Sequence, residues 1–513
     1  LREDKYAIID IGSNTMRLVI YVRDKSGKLK EIENVKAVAR LRNYLTEDSH
    51  LSIEGMTKLI TTLHSFQEIT RHHYLKDVKC VATATIRQAV NKTEIEKQVK
   101  EQTDFTMQIL SEYEEAYYGF LAIVNSTSLE EGITIDIGGG STEITYFKNR
   151  ELKEYHSFSF GALSLKKEFV SGDFPSEDEL QVLRSFLRKQ FASLPWLKDK
   201  NLPIIAIGGS ARNVVQIHQA IISYPLSGVH QYVMSGEQLE EVKQYLLKFS
   251  FEEMQKVDGL SKDRADIIIP ALETFQCLYE MAHGERFIVS RKGLRDGIFY
   301  EELTRDFGIS IFPNVIEESL YNLAADYNIN VNHMFHVTTI ATNVYNLLAD
   351  LYYVERADED ILDIKRGAFV YNLGCYIDGE SSSQHTFYLL ANRTIDGLFP
   401  RERLKMALIA SYKSKPVFKQ YIEPYQDWFT KEEQLKIRQL GAIVKFAYSL
   451  DTTKRKIVKE IKIEDTENGL VFFLKCSGDW QAEQYQAEKQ KKHLEKIIKK
   501  PITVNFHSIL SAE

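Results

Sequence analysis

The sequence predicts an α/β protein built from two related lobes that face one another across a cleft, followed by an all-helical segment and a small α+β segment. Three observations carry this reading. A strand–turn–strand unit occurs twice, strands and amphipathic helices alternate between and after the two copies, and strand signals stop at Phe312-Pro313 and return only near Ile457.

The first unit runs through 6–11 (YAIIDI), breaks at Gly12, Ser13 and Asn14, and resumes at 16–22 (MRLVIYV). The second runs through 132–137 (GITIDI), breaks at Gly138, Gly139, Gly140, Ser141 and Thr142, and resumes at 143–147. Asp10 and Asp136 hold equivalent places, 126 positions apart. Between the units the pattern predicts an amphipathic helix over 53–74, a buried strand over 78–83 and a helix over 93–102. After the second unit it predicts a helix over 176–191, a strand over 203–207 and a long helix over 264–283, which closes the second lobe near residue 305. Apolar residues then recur at helical spacing from about 313 to 450. Two alternating runs, a basic helix over 480–500 and a short strand over 502–506 complete the chain. The expected domains are 1–128, 129–308, 309–453 and 454–513.

Composition narrows the class of partner. The 513 residues are 44% hydrophobic, enough for several cores, yet no run approaches the ~18 to 20 apolar residues of a spanning helix. The start, residues 1–5, is charged instead of carrying a signal peptide's apolar core, so a cytoplasmic protein without membrane partners is expected; the first residue, Leu, points to a trimmed start. Cys80, Cys277, Cys375 and Cys476 lack CxxC spacing and read as buried thiols. A net charge of −7 argues against a nucleic-acid partner, so a polyanionic substrate needs a local basic groove.

Glycine-rich turns expose backbone N–H groups that suit phosphate oxygens, and two such turns would grip one phosphoryl group from both sides. The bland alternative is that these glycines merely supply hairpin geometry. Asp136 and Glu143 flank the second turn, where hard oxygen ligands beside a phosphate suit Mg²⁺ or are simply solvated. Ser111 and Glu114 form a capping box that opens a helix, which gives Glu114 a structural task. Glu115 has no such task, although first-turn glutamates also favour the helix dipole. Arg17, Arg87, Arg212, Arg291 and Arg295 each sit beside turn residues, as either surface ion-pair partners or a shared cationic cleft.

Taken together, these segments resemble the exopolyphosphatase/guanosine pentaphosphatase (Ppx/GppA) family. The carriers are DIGSNTMRL at 10–18, ATATIRQAVN at 82–91, SEYEEAYYG at 111–119, DIGGGSTE at 136–143, GGSARN at 208–213, GLSKDRADIIIPAL at 259–272 and GLRDG at 293–297. The resemblance implies two actin/hexokinase-like (ribonuclease H-like) lobes and hydrolysis of a terminal phosphoanhydride. It implies Glu115 as the catalytic carboxylate that activates water, with Asp136 and Glu143 serving Mg²⁺. Gly12, Ser13, Asn14, Thr15, Gly138, Gly139, Gly140, Ser141 and Thr142 would hold the terminal phosphates, together with Gly208, Gly209 and Ser210; Arg17 and Arg87 would neutralise charge. It further implies an HD-like helical domain, a small α+β domain and a homodimer.

The chain departs from the HD pattern, having Val370, Tyr371, Asn372, Leu373 and Gly374 where the family's His-Asp pair belongs. His336, His385 and Asp451 lie near the flanking places, so a non-catalytic helical domain is expected. Ala271 replaces a usual glycine, a smaller difference. The leading expectation is an exopolyphosphatase with a basic channel drawing on Lys413, Lys415, Lys419 and the run 489–500, which otherwise reads as a solvated helix face. The alternatives are conversion of guanosine pentaphosphate to tetraphosphate, a sugar kinase or ATP-driven chaperone of the same fold, and a non-hydrolytic binder of guanosine tetra- or pentaphosphate.

Overall fold

The computed structural model describes residues 4–23, 29–75 and 77–509. The chain divides into two compact units, one comprising Leu1–Tyr224 and Val229–Val315, the other Pro225–Gly228 and Ile316–Glu513.

The first unit contains both lobes. The first lobe comprises β1 (Asp4–Ile11), β2 (Thr15–Arg23), β3 (Leu29–Val38), α1 (Ile53–His72), β4 (Val78–Ala82), α2 (Ala84–Gln88), α3 (Lys92–Gln102), β5 (Met107–Ile109) and α4 (Glu112–Val124). The second comprises β6 (Glu131–Ile137), β7 (Thr142–Lys148), β8 (Glu151–Phe158), α5 (Ala162–Phe169), α6 (Glu177–Ala192), β9 (Ile204–Ile207), α7 (Gly208–Ile221), β10 (Tyr232–Met234), α8 (Gly236–Leu246), α9 (Phe251–Met254), α10 (Ile268–Ala282), β11 (Phe287–Val289) and α11 (Leu294–Thr304).

The sheets repeat one topology. The first has the order β3-β2-β1-β4-β5, and the second contains the same order as β8-β7-β6-β9-β11, with β10 added beyond β11. In each, the first three strands form an antiparallel meander and the next two run parallel to the first strand, while the added β10 pairs antiparallel with β11. The repeat extends to irregularities: the register shifts between Ile20 and Tyr21 in one meander and between Tyr146 and Phe147 in the other, again 126 positions apart. Each lobe has its own core, the first built around Ile9, Leu18, Leu63 and Val81's neighbour Cys80, the second around Ile135, Leu183, Ile217 and Phe275.

Three sequence expectations change here. The strands β3 and β8 were not expected, because lysine and glutamate interrupt their apolar alternation; each lies at the outer edge of its meander, where one side faces water. The helix expected over 264–283 begins only at Ile268, after a separate 3-10 turn at Lys262–Arg264. Pro270 lacks an N–H and therefore falls in the first turn of α10, which fixes that later start. Of the four free cysteines, Cys375 is exposed, on a 3-10 turn at Leu373–Tyr376, while the other three are buried.

The second unit contains α12 (Val315–Asp326), α13 (Val331–Asp350), α14 (Asp358–Phe369), α15 (Ser382–Asn392), α16 (Pro400–Ala410), α17 (Lys415–Ile422) and α18 (Lys431–Ser449). It ends in a three-stranded sheet, β12 (Val458–Thr466), β13 (Gly469–Cys476) and β14 (Ile502–Ser508), with α19 (Gln481–Ile498) crossing between the parallel strands β13 and β14. Among the described residues no helix is long and apolar enough to cross a membrane.

In this unit Asp451 pairs with His333, one turn before His336: His333 Nδ1 lies 2.8 Å from the Asp451 carboxylate, and both residues are buried. Tyr448 packs on the His333 ring, Tyr371 on Tyr448, and the Asn372 amide donates toward the Tyr448 hydroxyl at 3.5 Å. The Lys456 N–H donates to the other Asp451 oxygen at 2.6 Å, while His333 Nε2 is buried without a partner.

Candidate active site

The two hairpins β1–β2 and β6–β7 turn in the same way. Gly12 N donates to Thr15 O at 3.1 Å, and Gly138 N donates to Ser141 O at 2.9 Å. The turns meet: a Cβ added to Gly139 would lie 3.0 Å from the Ser13 Cβ and 3.3 Å from the Asn14 nitrogen. Only glycine allows that approach. The carbonyls of Gly138 and Gly139 accept from the first amides of α5, at Ala162, Leu163 and Ser164, so these oxygens are committed to the helix. Ser13 is fixed by a 2.7 Å bond from the Thr85 hydroxyl.

Between the turns lies a cavity of about 160 Å³. Gly12, Ser13, Asn14, Thr15 and Arg17 line it from the first lobe, with Asp10 and Thr83. Asp136, Gly138, Gly139, Ser141, Glu143, Gly208 and Gly209 line it from the second. Glu115 joins them from the first turn of α4, where Ser111 and Glu114 form the expected reciprocal cap, with Ser111 N donating to Glu114 at 2.8 Å. The helix α7 begins at Gly208 directly from strand β9, and no side chain caps it. A helix start of that kind presents amide N–H groups and partial positive charge to an anion. Both side-chain amide atoms of Asn14 are buried without a protein partner, which marks the first turn as shaped for something the protein itself does not supply.

Strand register makes the two hairpins chemically unequal. Asp10 stands opposite Arg17, whereas Asp136 stands opposite Glu143. The first hairpin therefore offers an acid and a base, the second two acids. Burial raises the Asp10 carboxyl, partly offset by Arg295 and Arg17. Burial raises Asp136 to about 6, against the pull of Arg212. Glu143, held by the Ser157 hydroxyl at 2.9 Å, is pushed well above the usual carboxylate range by burial and by the charges of Glu115 and Asp136. Burial likewise raises Glu115 to about 7, although Arg87 pulls it down.

Arg17, Arg212, Arg264, Arg291 and Arg295 line the same cavity. They crowd one another: burial and then Arg264, Arg295 and Arg17 lower Arg212 to about 10. Crowded guanidinium groups in a partly dry cavity favour an anion of high charge density. His230 helps to place Arg291, since its Nδ1 accepts from Arg291 N at 3.3 Å while its Nε2 lies 3.0 Å from Ser126 O, just past the end of α4.

Four expected residues lie behind the cavity wall. Arg87 donates to Glu115 at 2.6 Å and to Leu110 O at 3.0 Å, so its charge serves the carboxylate. Gly140 packs toward Ser13 and Arg42, Thr142 donates to Phe160 O at 2.7 Å, and Ser210 accepts from Arg264 at 3.4 Å. Arg264 was not singled out by the sequence, because it was read as the head of a helix. The signal was Pro270, which implies a later helix start and leaves Arg264 in a turn like the other cavity arginines.

Fold and cavity together define a two-lobed protein with paired backbone turns around an acidic and cationic pocket, the kind of site that holds phosphate chains. Residues 19–306 match the family model of the Ppx/GppA phosphatase family, and residues 315–494 match that of Ppx/GppA phosphatase domain III. The chain belongs to the Ppx/GppA phosphatase family. The crystal structure of the Aquifex aeolicus member of that family is 27% identical, with a TM-score of 0.52 over 60% of this chain and 99% of that one. A second Aquifex aeolicus PPX-GPPA enzyme structure is 28% identical, covers 58% of this chain and 99% of its own, and gives 0.50. An exopolyphosphatase from Cytophaga hutchinsonii shares the fold at 20% identity and a TM-score of 0.54, over 59% of this chain and 98% of its own.

Proposed function

We propose that this phosphatase is an exopolyphosphatase that releases orthophosphate from the end of inorganic polyphosphate. The observation that carries the reading is Glu115, a buried carboxyl near neutrality that lines the same cavity as both glycine turns and five arginines. In this reading the turns and the start of α7 bind the terminal phosphate, and Arg17, Arg212, Arg264, Arg291 and Arg295 stabilise its charge. Ionised Glu115, oriented by Arg87, accepts a proton from water as the water oxygen bonds to the terminal phosphorus. The bond from that phosphorus to the bridging oxygen breaks, leaving orthophosphate and a chain one phosphate shorter.

Asp136 and Glu143 suit Mg²⁺. They face each other across one hairpin; burial raises both carboxyls, with Asp10 adding to the rise of Asp136, and Glu115 and Asp136 to that of Glu143. Mg²⁺ needs few carboxylates where phosphate and water complete its shell. Bound there, Mg²⁺ would polarise the phosphate and offset its charge.

Guanosine pentaphosphate, converted to the tetraphosphate, is the alternative substrate. A cluster of lysines in the second unit favours the longer polyanion. Lys445, half-buried on α18, donates to Lys413 O at 2.5 Å, and burial followed by Lys492, Lys413 and Lys489 lowers its amine to about 8. The lobes fit the actin/hexokinase-like kind, the helices an HD-like domain with a degenerate metal motif, and the terminal sheet a small α+β domain. A cytoplasmic homodimer completes the proposal.

The test is phosphate release from polyphosphate and from guanosine pentaphosphate by the purified protein with Mg²⁺, beside Glu115→Gln. Loss of a general base lowers the rate by roughly 10² to 10⁴ while substrate binding persists. A kinase would survive the change and need an acceptor alcohol. Tight binding of guanosine tetraphosphate without any release would instead identify a regulator.

A further inference from the structure

The first lobe reaches the second through a pair of ionic contacts well separated in sequence from α4 and α11. Arg40 donates through Nη1 to Asp266 at 2.9 Å and through Nη2 to the other Asp266 oxygen at 3.3 Å and to Asp263 O at 3.0 Å. Lys36, near the end of β3, donates to the Asp263 carboxylate at 2.8 Å. Both acids flank Arg264, whose guanidinium lies against Gly209 so closely that a Cβ there would approach it to 2.1 Å.

Each side of this contact is tied to a phosphate turn. On the first lobe, Arg40 adopts the left-handed conformation with φ of 47°, uncommon for a residue with a Cβ, and its N–H donates to Asn14 O at 2.8 Å. Arg42 N likewise donates to Ser13 O at 3.2 Å. On the second lobe, the Asn213 side chain of α7 bonds both the Ser261 hydroxyl and the Ser261 N–H, which fixes the segment leading to Arg264. A run of contacts therefore leads from the first turn through Arg40 to Asp266 and to the carbonyl of Asp263, the residue before Arg264, and Arg264 in turn donates to Ser210 at the start of α7.

We propose that Lys36 and Arg40 with Asp263 and Asp266 form a clasp that holds the cleft shut and seats Arg264 at the cavity, acting as positioning residues for the phosphatase. The planar fork of Arg40, satisfied on three acceptors, gives the contact direction as well as charge. Side-chain exposures of 31% for Arg40 and 33% for Lys36 keep both pairs accessible to salt. The clasp can therefore release product without unfolding either lobe, which keep separate cores. Closure is an equilibrium, so weakening it reduces apparent affinity by the fraction of molecules that remain closed.

The experiment combines Arg40→Asp, Asp266→Arg, their double variant and Arg40→Lys. Aspartate tolerates the left-handed backbone at position 40. Each single reversal is expected to raise KM about ten-fold, with kcat changed much less, and the double variant to recover most of the loss. Arg40→Lys, which keeps charge but loses the fork, should fall between, and high salt should narrow the gap between wild type and singles. The kinetic arm rests on the phosphohydrolase reading. A second arm does not: with Cys375→Ser as background and one spin label on each lobe, the distance between labels should lengthen in the singles and return in the double. Unchanged KM and unchanged distances in Arg40→Asp, or a double variant as impaired as the singles, overturn the clasp. Shifted distances in a protein that hydrolyses neither substrate would leave the clasp standing and remove the enzyme reading instead.

Discussion

Glu115 and Arg87 set the acid–base behaviour of the cavity between them. Burial lifts the carboxyl, Arg87 opposes that lift, and the charges of Asp136 and Asp10 add to it, with a net position of about 7. A base must be ionised to accept a proton, so kcat/KM should rise with pH through a limb near 7, displaced downward as Mg²⁺ saturates the neighbouring carboxylates. Because Arg87 favours the ionised form, Arg87→Met should move that limb to higher pH; a limb that stays put would show that Arg87 acts elsewhere. The sequence separated Glu114 from Glu115 through the capping box, because a cap is a local rule spanning three residues. It gave no sign of the ion pair with Arg87, whose partner stands 28 positions away across a helix and a strand.

At the scale of elements, the meanders could be read from their first two strands and not from their third. The inner strands are apolar because both faces are covered, while β3 and β8 carry charge along an open edge. A different principle governs α6, α8 and α10, which enclose a buried charge network. Glu273, almost fully buried, accepts two bonds from Arg184 at 2.8 and 2.9 Å and lies 3.3 Å from the equally buried Lys243. Glu240 also pairs with Lys243, at 2.6 Å. Removing one member of a buried pair leaves the other uncompensated, so Glu273→Ala should destabilise the first unit by about 3 kcal/mol, read from the denaturation midpoint. A loss below ~1 kcal/mol would mean that Glu240 and solvent suffice for Lys243 and Arg184.

At the scale of the whole molecule, charge is distributed against the chain's overall sign. The net charge is −7, yet Lys413, Lys445, Lys489, Lys492 and Lys496 gather in the second unit, and burial with Lys445, Lys492 and Lys496 lowers His493 to about 4. Such a cluster raises the local concentration of a polyanion. Lys489→Glu with Lys492→Glu should therefore reduce kcat/KM on long polyphosphate by about ten-fold at low salt while leaving a short chain unaffected. Equal losses on both lengths would assign these lysines to folding. The run expected over 489–500 contributes only in part, since Lys500 instead pairs with Asp465 at 2.6 Å.

The sequence by itself determined the repeated hairpins, their glycine turns, the acids beside them and the passage from α/β to helical structure. These follow from short-range rules: strand alternation, turn geometry, helix caps and hydrophobic period act over a few residues and leave a mark at each copy. Tertiary structure decided which charges meet. Arg87 went to Glu115, Arg264 came to the cavity, His333 paired with Asp451, and Arg40 spanned the lobes. Those pairings depend on distances between segments far apart in the chain, and no local spacing records them.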